Sequence, residues 1–158
     1  MNDRINELLY RNLQEVFGEG DAQRRRAAIK ELYTDDCVVY TPAGKIVGHD
    51  ALDKFSGELR ATHPHFVYTP LGDAQPLHNA GRLNWGSGPR GEAADYTGVD
   101  IIIVRDGKIE ALYVFLDTEP SQAGSMIDAM QQDTGIAGAP ARYRTPSRFI
   151  TNVSVRAP

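Results

Sequence analysis

The stretch Tyr96–Asp117, YTGVDIIIVRDGKIEALYVFLD, contains two apolar runs joined at Asp106-Gly107. It predicts a long antiparallel hairpin, because glycine tolerates the positive φ of a tight turn and both flanks are rich in β-branched and aromatic residues. Side chains alternate between the two faces of a strand, so Asp100 lies on a mostly apolar face. A carboxylate there is costly unless it is paired, protonated or next to a wet cavity, which makes Asp100 the first functional candidate. The other residues on this face are Tyr96, Gly98, Ile102 and Val104.

The composition predicts one compact domain. With 158 residues, 41% of them hydrophobic, the chain can bury a substantial core and leaves little room for a second domain. A net charge of -4 argues against an extended nucleic-acid-binding surface. The tight basic run Arg24-Arg25-Arg26 is interpreted as the solvated face of a helix, since consecutive helical residues fan out around the axis.

The single cysteine, Cys37, excludes an intrachain disulfide, and the N-terminal residues are charged from Asp3 onward, unlike a secretory signal. These features predict a cytoplasmic protein. No apolar run approaches the roughly 20 residues that a helix needs to cross a bilayer, so no association with a membrane is expected.

The apolar spacing predicts three helices ahead of most of the sheet. The first runs from Ile5 to Phe17, the second begins after Asp21, and the third begins at His49 or Asp50 and ends before Pro64. The glycine-rich residues 86–91 are interpreted as a flexible hairpin loop. This order predicts an α+β fold in which helices cover one face of a curved, mostly antiparallel sheet. The strand candidates are 37–41, 46–47, 66–69, 74–79, 82–86, 96–104 and 108–117.

Three motifs in this order carry a family resemblance: LYTDDCVV at 32–39, GHDAL at 48–52, and GVDI at 98–101 with DGKI at 106–109. Together they resemble the nuclear transport factor 2-like superfamily, which includes ketosteroid isomerases, limonene epoxide hydrolases, scytalone dehydratases and SnoaL-type polyketide cyclases. The resemblance covers roughly residues 4 to 118 and implies a domain over 1–120. It implies a cone-shaped half barrel whose three N-terminal helices enclose a pocket, and often a homodimer formed through the outer sheet face.

The resemblance transfers unevenly to individual residues. The position of the ketosteroid isomerase base, an aspartate just before a proline, is matched by Thr41, which cannot serve as that base. Asp100 matches the protonated aspartate of the oxyanion hole in those enzymes, but Leu13 stands at the position of its partner tyrosine. Gly98 replaces the arginine that limonene epoxide hydrolases need two residues before the aspartate. In SnoaL-type cyclases an acidic pocket residue closes an aldol ring, and Asp100 could take that role.

Two interpretations of Asp100 stay open. It could orient a ligand or act as an acid and base together with Tyr96, which lies on the same face. It could equally accept hydrogen bonds from a nearby Tyr, Trp, Arg or backbone donor and simply fix the sheet register. Periodicity does not distinguish a filled core from a cavity, so the lining follows from the family architecture. The predicted pocket residues are Val39, Thr41, Phe55, Trp85, Ile102, Leu112, Val114 and Leu116.

Exposed aromatic side chains predict a partner on the outer sheet face. Tyr113 and Phe115 alternate with the proposed pocket residues and therefore point outward, which favours a homodimer. Trp85 could line the pocket or join this dimer surface. The pair His63 and His65 flanks a proline without further ligands nearby, so no metal is expected, and no cofactor motif is present.

The residues from 121 to 158 form an extension beyond the predicted domain. Within it, 125–132 could make a short helix, and the alternation from Phe149 to Val155 is typical of a strand. The extension could cap the pocket, enlarge the dimer surface or be unstructured.

Three functions are consistent with the sequence. The chain could bind a small apolar organic molecule, it could be a cofactor-independent isomerase, cyclase or lyase that uses Asp100, or it could be a protein-interaction module. The identity of the ligand is not encoded in any motif.

Overall fold

A computed structural model describes residues 2–117 of the chain. Its helical part begins with α1 (Asn2–Arg11), which continues into a π-helix (Asn12–Phe17), and is completed by α2 (Ala22–Leu32) and α3 (His49–Thr62). The strands are β1 (Tyr33–Thr41), β2 (Gly44–Val47), β3 (Phe66–Pro70), β4 (Gln75–Leu77), β5 (Ala80–Pro89), β6 (Tyr96–Arg105) and β7 (Lys108–Leu116). The helix and strand predicted at 125–132 and from Phe149 lie outside the described residues, as does the whole proposed extension 121–158.

The strands form one seven-stranded sheet in the order β2-β1-β7-β6-β5-β3, with β4 paired to β5. Among the described strands, β1 and β7 form the one parallel pair, and the other pairs are antiparallel. The helices pack on the inner face of this curved, unclosed sheet. The predicted α+β fold is therefore confirmed.

The β6–β7 hairpin turns at the two residues that the sequence predicts. Asp106 has φ 51° and Gly107 has φ 75°, so both turn residues have positive φ, as the tightest hairpins require. Beyond the turn the register shifts by one residue between Ile103 and Val104, and the shifted register places Asp100 opposite Val114. On β6 the even-numbered residues from Tyr96 to Val104 are buried, as the alternation predicts.

The first predicted helix has the expected extent, but its final part is π-helical. Its closing hydrogen bond runs from Gly18 N to Leu13 O, a span of five residues. Its buried residues are Asn12, Leu13, Val16 and Phe17. The sequence pattern alone does not predict this change of helix type.

Two strands differ from their predicted extent. The glycine-rich residues 86–89 belong to β5, where Gly86 pairs with Thr69 and Thr97, so the loop prediction is wrong there. Position 88 favours glycine because a side chain there would be crowded. A Cβ at this position would lie 3.0 Å from Ala93 O, in the segment that connects β5 to β6. β1 begins at Tyr33 rather than Cys37, and its register against β7 shifts between Tyr33 and Val38, so the polar residues 34–36 bulge within the strand instead of preceding it.

The basic run on α2 is only partly solvated. Asp21 caps this helix by accepting a hydrogen bond from Arg24 N at 2.9 Å, as expected. Arg25, however, is buried, and its Nε donates to Asp53 Oδ1 at 2.8 Å. Arg26 Nε donates to the second carboxylate oxygen at 2.7 Å, so the run joins α2 to α3.

The outer face of the sheet carries exposed aromatic side chains. Tyr40 and Tyr113, neighbours on β1 and β7, stack with ring centroids 4.6 Å apart. Phe115 follows on β7 and is 53% exposed. Trp85 is not part of this surface, because it is buried on the inner face.

Candidate functional site

Asp100 lies buried in the middle of β6, and two neutral donors hold its carboxyl group. Trp85 Nε1 donates to Oδ1 at 2.9 Å, and Asn12 Nδ2 donates to Oδ2 at 3.4 Å. None of the ion pairs formed among residues 2–117 includes this aspartate. Asp100 is thus a buried acid without a charged partner in the described part of the chain.

A glycine opposite Trp85 makes the Trp85–Asp100 contact possible. Trp85 on β5 pairs with Gly98 on β6, and the indole lies over the glycine. A Cβ at Gly98 would come within 2.5 Å of the indole Cζ2 and of Phe115 O, so a larger residue would displace the ring. Gly98 therefore helps to position the indole N–H beside Asp100, two residues further along the strand.

Asn12 is oriented by a second hydrogen bond on its other side. The Tyr33 hydroxyl donates to Asn12 Oδ1, which turns the amide nitrogen toward Asp100. Neither residue was predicted as part of the site. A signal for Asn12 does exist, because it lies three residues after Leu9 and four after Leu8, a polar residue in phase with the apolar stripe of α1.

Burial raises the pKa of Asp100 from its ordinary value of 3.8 to about 7, against the opposing effect of the hydrogen bonds from Trp85 and Asn12. Burial, followed by the nearby negative charge of Asp100, also raises the pKa of Tyr33 and Tyr68, which stay protonated. A carboxyl group with a pKa near neutrality can both donate and accept a proton under ordinary conditions, as a general acid or base must.

An apolar cavity reaches the Asp100 carboxyl group. The space within it open to the centre of a water-sized sphere is ≈10 Å³, room for about one water molecule. Of the residues from 2 to 117, Asp100 alone contributes a carboxyl group to its wall. The lining residues are Leu13, Phe17, Phe55, Leu59, Tyr68, Trp85, Asp100 and Val114.

A second cavity lies beside the first and is more polar. Its water-sized space is ≈20 Å³, and Leu59 and Tyr68 belong to the walls of both cavities. The Tyr96 hydroxyl lies 3.3 Å from His63 Nε2 in this second wall. The two catalytic candidates of the sequence, Asp100 and Tyr96, therefore face neighbouring cavities. The remaining lining residues are Arg60, Thr62, Phe66 and Ser87.

The predicted pocket residues divide into three groups. Phe55, Trp85 and Val114 line the cavity at Asp100. Thr41 is the last residue of β1, and its hydroxyl bridges the β1–β2 turn by donating to Gly44 O at 3.0 Å and accepting from Ala43 N at 3.2 Å. The others belong to the core or its edge: Val39, Ile102, Leu112 and Leu116.

Several residues of the site were absent from the sequence-based prediction. Tyr68, the residue common to both cavities, comes from β3, whose strand was predicted but whose facing was not. Within residues 2–117, no three His, Cys, Asp or Glu side chains are close enough to hold a metal ion. No helix of the same region is long and apolar enough to cross a membrane.

A comparison with protein families matches residues 10–112 to the SnoaL-like domain. The chain belongs to the SnoaL-like family. The match spans the site from the π-helix to β7 and confirms the resemblance that the three sequence motifs carry. No curated protein matches this SnoaL-like chain.

Solved structures share the SnoaL-like fold at low sequence identity. A proposed isomerase of the SnoaL-like family from Agrobacterium tumefaciens is 18% identical, with a TM-score of 0.68 over 73% of this chain and 99% of that one. A proposed SnoaL-like polyketide cyclase from Jannaschia sp. is 12% identical, with a TM-score of 0.64 over 82% and 93%. A proposed ketosteroid isomerase from Kribbella flavida is 15% identical, with a TM-score of 0.57 over 75% and 81%. At these identities the likeness establishes the fold alone.

Proposed function

We propose that this SnoaL-like protein binds a small, mostly apolar organic molecule through a carbonyl or hydroxyl group that contacts Asp100. The observation that carries the proposal is a buried carboxyl group, without a charged partner among the described residues, in the wall of an apolar cavity. Such an arrangement gives affinity through burial and orientation through one or two hydrogen bonds. Trp85 and Asn12 hold the carboxyl group in place, which leaves its remaining lone pairs or its proton for the ligand.

Binding requires the cavity to enlarge, since it has room for about one water molecule. Its walls are large side chains without hydrogen-bonding groups, apart from Tyr68, Trp85 and Asp100. Rotation of such side chains is a low-cost way to admit a ligand. A crystal structure with bound ligand should therefore show the backbone unchanged and the side chains of Phe17 or Tyr68 rotated.

A thermal-shift screen tests the binding proposal, because a ligand that binds the folded state raises its stability by mass action. The panel comprises steroid-like, terpenoid and polyketide-like ketones and alcohols. Hits should raise the melting temperature of the wild type more than that of Asp100→Leu, which keeps the site apolar but removes its hydrogen-bonding group. If no compound raises the melting temperature of the wild type, and a crystal structure shows a cavity with room for only one water molecule, the binding proposal is wrong. The chain is then better explained as a protein-interaction module.

A second candidate function is acid–base catalysis without a cofactor, of the isomerase, cyclase or lyase type. The pKa of about 7 at Asp100 favours it, because a group that titrates near neutrality transfers protons in both directions efficiently. The proposed names of the structural relatives, isomerase and polyketide cyclase, support this class of chemistry. Thr41, engaged in its turn, supplies no second acid or base.

The variant Asp100→Asn separates binding from catalysis once a ligand is known. An enzyme should lose turnover by orders of magnitude, since the amide neither donates nor accepts the proton. A binding protein should lose only modest affinity, because the amide still forms hydrogen bonds of similar geometry. Turnover that survives the substitution would exclude Asp100 as the acid or base.

We further propose that two copies associate through the outer sheet face. The stacked pair Tyr40–Tyr113 and the exposed Phe115 form an aromatic surface of the kind that partners cover. Light scattering should give a dimer for the wild type and a monomer when Tyr113 and Phe115 are both replaced by lysine. A wild type that is monomeric at micromolar concentration would contradict the dimer.

A further inference from the structure

Two side chains separate the cavity at Asp100 from its neighbour. Leu59 on α3 and Tyr68 on β3 contribute to the walls of both cavities. No other residue of the described chain is common to the two linings. Tyr68 and Leu59 thus form the partition between two spaces, each of which is too small alone for an organic ligand.

The chemistry of the two cavities differs. The inner cavity is mostly apolar, and Asp100 is the one carboxyl group among the described residues that line it. The outer cavity contains Arg60, the His63 imidazole and the Tyr96 hydroxyl. His63 is held against Phe66, with ring centroids 4.4 Å apart at an interplanar angle of 85°. The outer cavity therefore offers hydrogen-bonding groups on an ordered aromatic frame.

The Arg60 guanidinium adds positive charge and rigidity to this outer cavity. Its Nε donates to Gly18 O at 3.2 Å and its Nη1 donates to His63 O at 2.9 Å. These bonds connect the end of α3 to the end of the π-helix. The charge favours an oxygen acceptor on any ligand that reaches this cavity.

The backbone of Tyr68 is fixed by hydrogen bonds, whereas its side chain is held by aromatic contacts and by one hydrogen bond between its hydroxyl group and Ser87. On the backbone, Gln14 Nε2 donates to Tyr68 O at 2.8 Å, and the strand pairs Tyr68 with Ser87. The ring makes edge contacts with Trp85 and Phe17 at centroid distances of 5.5 and 6.5 Å. Among the described strands β3 lies at the edge of the sheet, so the strand that carries Tyr68 is paired on one side only.

We propose that the Tyr68 side chain is a gate between the two cavities, and that the ligand is an elongated apolar molecule with a polar group at each end. One carbonyl or hydroxyl group contacts Asp100 in the inner cavity. A second oxygen acceptor contacts the His63–Tyr96 pair in the outer cavity, near the charge of Arg60. This assignment rests on the proposed function, because it uses the same Asp100 site, and it adds the length and the second polar end of the ligand.

The gate can be tested without any ligand, because Trp85 is the single tryptophan of the chain and lines the inner cavity. Acrylamide quenching of its fluorescence measures access to that cavity. Tyr68→Ala should increase the quenching constant several-fold. Phe66→Ala, which removes a ring from the outer cavity only, should leave it near the wild-type value. Equal quenching in Tyr68→Ala and the wild type would overturn the gate whether or not a ligand is found.

A Tyr68→Ala variant that fails to fold is replaced by Tyr68→Leu, which keeps an apolar side chain and shortens it. Its quenching constant should lie between those of the wild type and a fully open cavity. Tyr68→Phe serves as the matched control for the hydroxyl group, and quenching should stay unchanged. If Tyr68→Phe quenches as strongly as Tyr68→Leu, the hydroxyl and not the ring closes the cavity, and the gate as described is wrong.

Two probes test the second polar end. A decalone carries one carbonyl, and a hydroxydecalone carries an additional hydroxyl on its far ring. The wild type should bind the hydroxydecalone about tenfold more tightly, the value of one well-formed hydrogen bond. His63→Ala should abolish this preference and leave decalone affinity unchanged. Loss of affinity for both probes, or an unchanged preference, would contradict the His63–Tyr96 contact. The wild type could also bind neither probe while Tyr68→Ala still shows an increased quenching constant. That result would contradict the elongated ligand but support the gate.

Discussion

Asp53 and Asp100 are both buried aspartates, 8% and 3% exposed, yet their surroundings differ in kind. Asp53 receives one hydrogen bond from each of two guanidinium groups, Arg25 and Arg26. Asp100 receives its bonds from a neutral indole and a neutral amide. A carboxylate between two cations is a structural tie, whereas a carboxyl group with neutral donors next to a cavity keeps its proton exchangeable.

The difference follows from the elements that carry each residue. Asp53 lies on α3 and faces α2, where a run of three arginines provides opposite charge. Asp100 lies on a central strand whose inner face is otherwise apolar. Burial alone therefore does not mark a functional acid; the charge of its partners does.

The largest expected effect is the loss of the Asp53 ion pair. Asp53→Ala leaves the Arg25 guanidinium buried with one remaining bond, to Glu19 O at 3.0 Å. Removing one member of a buried ion pair costs about 3–5 kcal/mol, since the other charge stays desolvated. Urea unfolding should show a loss of this size. Asp50→Ala, the same deletion at an exposed position of α3, is the matched control, and an equal loss there would contradict the role of burial.

The second prediction concerns the pH dependence that Asp100 gives to stability. Its pKa of about 7 in the folded state lies above the ordinary 3.8, so between these values the folded protein binds a proton that the unfolded chain has released. Stability therefore falls as the pH rises through this window. Two pKa values this far apart predict a loss of about 2–3 kcal/mol between pH ~5 and ~8.

The variant Asp100→Asn isolates this contribution. It should lack the pH-dependent loss, so its stability relative to the wild type should increase from pH ~5 to ~8. Urea unfolding of both proteins at the two pH values gives the difference directly. Because only the change between the variants counts, the other carboxyl groups cancel. A difference that stays constant with pH would mean that Asp100 is ionised throughout, and the acid–base function would lose its basis.

The third prediction separates the two donors at Asp100. A hydrogen bond to a carboxylate stabilises its charged form, so its removal should raise the pKa further. Trp85→Phe removes the 2.9 Å bond and should raise the Asp100 pKa by about one pH unit. Asn12→Leu removes the 3.4 Å bond and should raise it less. Carboxyl-carbon NMR titration measures both, and a fall in the pKa of Trp85→Phe would show that water entry outweighs the lost bond.

The sequence predicts Asp100 but not the surroundings that define it. Alternation along β6 and the Asp106-Gly107 turn depend only on local residues, so the strand, its facing and its buried acid follow from the chain itself. The sequence predicts neither the π-helix in which Asn12 lies nor the direction in which Tyr68 points from the edge strand β3. Both depend on packing between elements that are distant in sequence.

The burial of Arg25 against Asp53 is also not predictable from the sequence. The two residues are 28 positions apart, and nothing in the basic run distinguishes Arg25 from its exposed neighbours Arg24 and Arg26. Helical position alone gives a direction around the axis, whereas burial depends on how α3 packs against α2. The interpretation of the run as solvated was correct for two of its members and wrong for Arg25.

The smallest expected effect is the loss of Arg26. Its side chain is 68% exposed, compared with 7% for Arg25, although both donate to the same carboxylate at nearly equal distances. An exposed ion pair is screened by water and salt and contributes little, so Arg26→Gln should leave the urea midpoint almost unchanged, and raising the salt concentration should remove any remaining difference. Arg25→Gln, the same substitution one residue earlier, should cause a clear loss that salt does not reduce. If the two variants were equally unstable, the distance to Asp53 rather than burial would set the strength of the pair, and burial would no longer explain how Asp53 differs from Asp100.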